Sequence, residues 1–261
     1  MKPAPFDHAR PANLADAIAL LHTQAGARVL AGGQSLGPML NLRLAQPSLL
    51  VQVNHLTELA GAAADTETVT IGAGVTHASI ADGLVPDIGA GVLARVAENI
   101  AYRAVRNRGT IGGSLCHADP AADWVNVLSA LDATVLLQGA AGSRSVPAHD
   151  FIQGAFRTAL LPGEMLIAVR VPRLSADARW AYEKACRKPG DFAHAMAAVL
   201  VDGARRRAVI GALGGKPLLL EDDAVTNDGA IRALQEVSAL DQVHRHMQLA
   251  IFRRALAKAQ A

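Results

Sequence analysis

The chain has 261 residues, 51% apolar but only 3% aromatic, and a formal charge of +2 at neutral pH. That length buries a sizeable core in one or two domains, packed from Ala, Val, Leu and Ile rather than aromatic rings. Near-neutral charge without a basic block argues against nucleic-acid binding, and no stretch reaches the roughly 18 uncharged apolar residues of a membrane span. The N-terminus has no apolar signal core, so the expected location is the cytoplasm. Cys116 and Cys186 are far apart and share no C-x-x-C spacing, which argues against a disulfide scaffold or a zinc site. A ferredoxin-type iron–sulfur cluster needs about four thiolates, so this chain holds none on its own.

In chain order, Asn13 caps a helix with Leu14, Ala17, Ile18 and Leu21 on one face, ended by Gly26. Residues 28–30 read as a strand entering a glycine-rich segment, Ala31-Gly32-Gly33-Gln34-Ser35, with a short helix over 36–44 behind it. Residues 49–53 and 69–71 read as strands, and Gly72 and Gly74 turn the chain. Thr76 caps a helix carrying Ile80 and Leu84, and another spans 88–97. A second glycine segment, Thr110-Ile111-Gly112-Gly113-Ser114, reads as a loop at a strand-like edge. Asp119-Pro120 opens a turn, and a helix runs over 123–131. Residues 134–137 and 166–171 are strands, and Pro172 with 175–177 marks a boundary. Beyond it, 180–186, 195–201 and 208–213 read as strands, Arg205-Arg206-Arg207 as a solvated turn, and 229–237 and 242–259 as closing helices. This irregular order favours an α+β fold over a doubly wound one. Neither glycine segment fits G-x-G-x-x-G or G-x-x-x-x-G-K-[ST].

The two glycine segments carry the strongest chemical signal. Each offers backbone N–H groups unshielded by side chains, plus a hydroxyl, which is what an extended diphosphate requires. One such segment is an ordinary strand–helix turn; two in one domain suggest a ligand clamped from two sides. Asp123 follows the second segment. It either accepts hydrogen bonds from sugar or ribityl hydroxyls or caps the following helix. Lys184 on its strand is either a surface ion-pair partner or a positive charge beside an electron-rich ring. Tyr102, Arg103, Arg106 and Arg108, before the second segment, either reach phosphates or a partner protein or lie on a solvated loop. Cys116 and His117 sit nearby without a readable base–orienter arrangement.

Several motifs, in order, resemble a known family: Phe6-Asp7-His8-Ala9-Arg10-Pro11; Ala31-Gly32-Gly33-Gln34-Ser35-Leu36; Val69-Thr70-Ile71-Gly72-Ala73; Thr110-Ile111-Gly112-Gly113-Ser114-Leu115 with His117-Ala118-Asp119-Pro120; Leu161-Pro162-Gly163-Glu164-Met165-Leu166; and Arg187-Lys188-Pro189-Gly190-Asp191-Phe192-Ala193. Together with the stretch from Arg245 to Leu256 they resemble, nearly end to end, the FAD-binding medium subunit of molybdenum hydroxylases, the group of carbon monoxide dehydrogenase and bacterial xanthine dehydrogenases. The resemblance implies a vanillyl-alcohol-oxidase (PCMH)-type FAD-binding domain over 1–174, in subdomains of about 1–55 and 56–174, and a small α+β C-terminal domain over 175–261. It implies that Ala31, Gly32, Gly33, Gln34, Ser35 and Leu36, with Thr110, Gly112, Gly113 and Ser114, hold the FAD pyrophosphate. Asp123 would meet the ribityl part, and Ile100, Leu166 and Lys184 would lie near the flavin ring or cofactor body. No residue of this chain is implied to be catalytic or to bind metal. The sequence departs from the family pattern at Ser114, where many relatives have Asn, at His244 before Arg245, and in the short acidic stretch 221–223, which suggests a trimmed C-terminal domain.

The function so implied is electron transfer. Substrate is hydroxylated at a molybdopterin-type molybdenum cofactor on a large partner subunit, and electrons pass through two [2Fe-2S] clusters on a small partner subunit. FAD on this chain hands them to a terminal acceptor, in a dimer of heterotrimers. The cysteine count agrees, since the electrons must come from another polypeptide. The rival is a self-sufficient flavin oxidase or dehydrogenase of a small molecule; a third reading is a non-enzymatic module on the same fold. The residues after Ser175 are few for a substrate domain, which weighs against the rival.

Overall fold

A small parallel sheet comes first in the computed structural model, which describes residues 2–261. β1 (Asp7–Ala9), α1 (Leu14–Thr23), β2 (Ala27–Leu30), α2 (Leu36–Asn41) and β3 (Leu49–Gln52) give the strand order β1-β3-β2, with β3 parallel to both neighbours. Parallel neighbours require a crossover, and the two helices provide it. α1 begins as its sequence requires: the Asn13 side chain accepts the Asp16 N–H at 2.8 Å, and Ala17 and Ile18 face the core.

Next come β4 (Ala62–Ala64), β5 (Thr68–Gly72), α3 (His77–Ala81), α4 (Val92–Glu98), α5 (Arg103–Arg106), α6 (Ile111–His117) and α7 (Asp123–Ala130). β6 (Thr134–Gly139), β7 (Gly142–Pro147), α8 (Ala148–Phe151), β8 (Ile152–Gly154), β9 (Arg157–Thr158) and β10 (Met165–Pro172) follow. The long strands form an antiparallel sheet of order β4-β5-β10-β6-β7. Two helices here are shorter than their apolar spacing suggests. α3 stops at Ala81 because Gly83 takes φ +71°, leaving Leu84 exposed. α4 starts only at Val92, because Gly89 and Gly91 both have positive φ.

The second glycine segment is a helix and not a loop. Thr110 is its N-cap, accepting the Gly113 N–H on Oγ1 at 3.0 Å. Glycine disfavours helix by about 1 kcal/mol per residue, but Gly112 lies directly on Ala73. A Cβ there would sit 2.6 Å from the Ala73 Cβ, so only glycine lets α6 lie this low.

The last stretch holds β11 (Arg179–Ala185), β12 (Ala195–Asp202), β13 (Arg205–Gly211), β14 (Leu218–Glu221), α9 (Asn227–Gln235) and α10 (Gln242–Gln260), the strands forming an antiparallel sheet in that order. Its sequence shows why it is buried on both faces. Ala198 and Leu200 of β12, with Val209 of β13, pack with α7; Ala195, Ala197 and Val199, with Ala208 and Ile210, pack against Ile251, Phe252 and Ala255 of α10. Successive strand residues point to opposite faces, so a run apolar at every position needs two apolar neighbours.

The three arginines are not a solvated turn. Asp202 pairs with Arg205 in the ladder, so Gly203-Ala204 alone makes the turn, Gly203 at φ +60°. Arg207 is buried on β13, its guanidinium paired with Glu221 of β14 and lying 3.3 Å from Asp132, which also pairs with Arg205. Only Arg206 of the three is exposed. No helix among the described residues is long and apolar enough to cross a membrane.

All eight residues of α7 are buried, so the five-stranded and four-stranded sheets share one core through it. Leu128→Ala should therefore cost about 3 kcal/mol and lower the midpoint of one common urea transition read at both sheets. Two separate transitions, with the four-stranded sheet unaffected, would contradict a shared core.

Candidate functional site

The first glycine segment leaves β2 and enters α2. Gly33 takes φ +71°, a left-handed turn that side chains resist. Gly32 is constrained differently: a Cβ on it would lie 2.1 Å from the Arg108 carbonyl oxygen and 2.9 Å from the Gly109 Cα. The two segments, far apart in sequence, are thus packed backbone against backbone. The N–H groups of Gly32, Gly33, Gln34, Ser35 and Leu36 donate to no acceptor among the described residues. Ser35 occupies the N-cap position of α2 but makes no capping bond, so its hydroxyl is also unspent. Gln34 folds back, its Nε2 donating to the Gly32 carbonyl at 3.1 Å. A run of unpartnered N–H groups beside an unspent hydroxyl is an anion-binding arrangement.

The second segment contributes differently from the expectation of a second row of backbone donors. Ile111 N–H donates to the Val75 carbonyl at 3.0 Å and Gly112 N–H to the Ala73 carbonyl at 3.1 Å. Gly113 N–H is taken by the Thr110 cap and Ser114 N–H by the Thr110 carbonyl at 3.0 Å. These are the ordinary bonds of a helix start seated on the turn that follows β5. What the segment still offers is the hydroxyls of Thr110 and Ser114 and the exposed backbone of Gly113, where a Cβ would meet only Thr110 Oγ1.

The segment is braced from beneath. Thr76 pairs with Thr110, and His77 N–H donates to the Gly109 carbonyl at 2.9 Å. The His77 ring leaves no room for a Cβ on Gly109, with Cδ2 at 2.9 Å from that position. His77 Nδ1 accepts the Trp124 indole N–H at 3.1 Å. Burial, with Arg106 nearby, pushes the imidazole pKa down to about 4, so the ring is neutral at physiological pH. Ala73 N–H reaches the Ile167 carbonyl, beside Leu166, whose side chain is 3% exposed within the main core.

Asp123, Lys184 and Ile100 form a second group. Asp123 is the first residue of α7, with Ala122 at the N-cap, and its carboxylate is engaged by the neighbouring strand. Asp123 Oδ1 accepts from Lys184 Nζ at 2.8 Å and from the Tyr182 hydroxyl at 2.9 Å. Lys184 Nζ also donates to the Asn99 carbonyl at 3.0 Å, next to Ile100. The two side chains are 7% and 10% exposed, so Lys184 is in neither a surface ion pair nor a solvated stretch. Desolvation pushes the Asp123 carboxyl above its ordinary range, against the pull of Lys184 and Tyr182. Ile100 is half-buried and bridges to Gly190, where a Cβ would lie 2.7 Å from the Ala101 carbonyl oxygen. Ala101 has φ +46°, and Arg106 donates to the carbonyls of both Ile100 and Ala101, at 3.0 and 2.9 Å, holding that turn.

The site residues therefore gather as residues 31–36 against 108–114, and as Ile100, Asp123 and Lys184, with Arg106 of α5 bonded to the turn that carries Ile100. Tyr182, His77, Trp124 and the role of Arg106 are not apparent from sequence alone. Tyr182 was within reach: it lies two residues from Lys184 and so on the same strand face. Cys116 is exposed on α6, and His117 packs tilted against Phe156 with ring centroids 5.2 Å apart and no hydrogen-bonded base among the described residues, so neither forms a nucleophile pair. Among the described residues no cluster of His, Cys, Asp or Glu suits a metal ion.

Comparison with known proteins gives a consistent result. Residues 4–174 match the family described as "FAD binding domain in molybdopterin dehydrogenase". The chain is 37% identical over 258 residues to the 6-hydroxypseudooxynicotine dehydrogenase complex subunit alpha of Paenarthrobacter nicotinovorans, covering 93% of this chain and 87% of that one. It is 41% identical over 220 residues to the carbon monoxide dehydrogenase medium chain of Afipia carboxidovorans, covering 82% and 75%. Among solved structures, a carbon monoxide dehydrogenase from Hydrogenophaga pseudoflava lacking the Mo-pyranopterin moiety superposes with TM-score 0.90 at 33% identity, over 100% of this chain and 99% of that chain.

The His77 environment predicts a pH effect. An imidazolium would turn a second N–H toward the Trp124 indole, so the fold requires the neutral ring. Its folded pKa, about 4, lies below the ordinary 6.5. This contribution is therefore complete above the ordinary value and is lost as pH falls toward the folded one. In urea unfolding, the stability gap between wild type and His77→Asn should narrow by about 2 kcal/mol between about pH 7.5 and pH 5. A gap constant over that range would contradict a neutral, buried His77.

Proposed function

Because the chain belongs to the family of FAD-binding medium subunits of molybdopterin dehydrogenases, the carbon monoxide dehydrogenase and xanthine dehydrogenase group, and is an oxidoreductase subunit carrying FAD, we propose that it is the electron-transfer flavoprotein of a multi-subunit molybdenum hydroxylase. On this reading a large partner subunit holds the molybdopterin-type molybdenum cofactor and a small partner subunit holds two [2Fe-2S] clusters. The chain takes electrons from those clusters and passes them to a terminal acceptor, in a cytoplasmic dimer of heterotrimers. Residues 1–174, divided near residue 55, form the FAD-binding unit, and 175–261 the C-terminal unit. The relatives named as a complex subunit and as medium chains support the assembly.

The observation that carries the reading is the row of five N–H groups, Gly32 to Leu36, without acceptors among the described residues, beside the Gly32–Arg108 contact. It fits a diphosphate: convergent donors, no side chain in the way, the hydroxyls of Ser35 and Ser114 uncommitted around it, and the Thr110 hydroxyl, whose oxygen caps Gly113, still able to donate its proton. FAD, when bound, supplies one- and two-electron redox chemistry. The chain supplies position and electrostatics. The first segment binds the anionic oxygens, and the second closes over them through its hydroxyls. Asp123 accepts a ribityl hydroxyl on the carboxylate edge not engaged by Lys184 and Tyr182. Lys184 fixes that carboxylate and sets a positive charge beside it. Ile100 and the β10 backbone at Leu166 border the cofactor body.

The purified chain should be yellow, inert alone toward substrates, and reducible by partner subunits supplied with substrate. Gly33→Val and Gly113→Val should each weaken FAD binding by about 100-fold or more, as several charge-assisted bonds are lost, measured by flavin fluorescence quenching. A partner molybdenum centre mixed with either variant should still react once. Autonomous turnover would instead support a self-sufficient flavin oxidase. Full flavin retention by both variants would remove the two segments from the diphosphate site.

A further inference from the structure

We infer that His77 is a positioning residue for FAD, coupling the second glycine segment to the helix that carries Asp123; the inference rests on the reading that both elements hold FAD. His77 lies at the start of α3 and is nearly fully buried. Its backbone N–H holds the Gly109 carbonyl at 2.9 Å, and its ring stands directly against Gly109. The height of Gly109, and so of the Thr110 cap and the hydroxyls that follow, is fixed by where this ring sits. On its other side the ring accepts the indole N–H of Trp124, which follows Asp123 on α7 and is fully buried. The rings meet tilted at 37°, centroids 6.3 Å apart, a geometry set by the hydrogen bond and not by stacking.

The consequence is a short chain of contacts from Gly109 through His77 and Trp124 to Asp123. Among the described residues the indole N–H has no acceptor other than His77 Nδ1. Losing that acceptor leaves a donor unsatisfied in an apolar core, and the structure relaxes by shifting either α7 or the ring. A shift of α7 moves Asp123, and a shift of the ring moves Gly109 and Thr110. His77 thus registers two parts of the site, which Arg106 also links, through the Ile100 and Ala101 carbonyls. It touches no expected FAD atom itself, so its role is positional.

The experiment titrates FAD into the full-length apo chain and reads flavin fluorescence quenching. His77→Leu and Trp124→Phe should each weaken FAD binding about tenfold, the size of one lost buried hydrogen bond. The double variant should be no weaker than either single one, since both remove the same bond. His77→Asn, whose amide oxygen can take the indole N–H, should recover affinity to within about threefold of wild type. Trp124→Phe keeps most of the ring volume and carries the test if His77→Leu does not fold. Wild-type affinity in Trp124→Phe, or His77→Asn no better than His77→Leu, would overturn the positioning role. In that case Gly33→Val still losing FAD would leave the flavin reading intact. A wild-type chain that fails to bind FAD would overturn both.

Discussion

A helix without a solvent face constrains the rest of this structure. Every residue of α7 is buried, including the polar Asp123, Asn126 and Ser129, and each must find its partner inside the protein. Ser129 bonds back to the Val125 carbonyl at 2.7 Å, within the helix. Asn126 reaches the Val209 carbonyl on β13, and in doing so it crowds Gly211, where a Cβ would lie 2.6 Å from Asn126 Oδ1. Asp123 reaches Lys184 and Tyr182 on β11. The four-stranded sheet is thus keyed to α7 along its length by polar contacts, while Ala198, Leu200 and Val209 supply the apolar ones.

The Asp123–Lys184 pair shows what such keys contribute. The desolvation of two charges consumes much of their mutual attraction, so a pair this buried adds little net stability. Removing one member is different, because it strands the other in a low-dielectric setting. The pair therefore acts on register more than on strength. Lys184 can bond Asp123 and the Asn99 carbonyl together only when β11, α7 and the 99–101 turn are correctly seated. The first glycine segment works on the opposite principle. What it offers is backbone N–H groups, which are chemically the same in every sequence, and the sequence acts only through where it permits close approach, at Gly32, and left-handed turns, at Gly33.

That difference explains what was legible. The first segment could be read because its chemistry is local: strand, small residues, short helix. Caps at Asn13 and Thr76 and the two-faced apolar run of β12 were equally local. The second segment misled because two glycines in four residues read as a loop. What makes it helical is the Ala73 surface beneath it, nearly forty residues earlier, and no local pattern reports that contact. The arginines misled for a related reason. A run of three charges reads as solvated, yet strand alternation sends Arg207 inward to Asp132 and Glu221, both distant in sequence. Asp123 and Lys184 were identifiable individually, through the family resemblance, but their bond across 61 residues was not.

The shared core also separates two meanings of the word domain. The family model matches residues 4–174. The packing does not end there. Trp180, Tyr182, Ala198, Leu200 and Val209 belong to the same apolar cluster as Ile71 and Trp124. A ribosome that has just released residue 174 has made a recognisable module whose central helix still lacks a wall. Until β13 emerges, that helix presents an apolar surface of the kind chaperones bind. What the family model spans as one piece, the chain completes only with its last third in place.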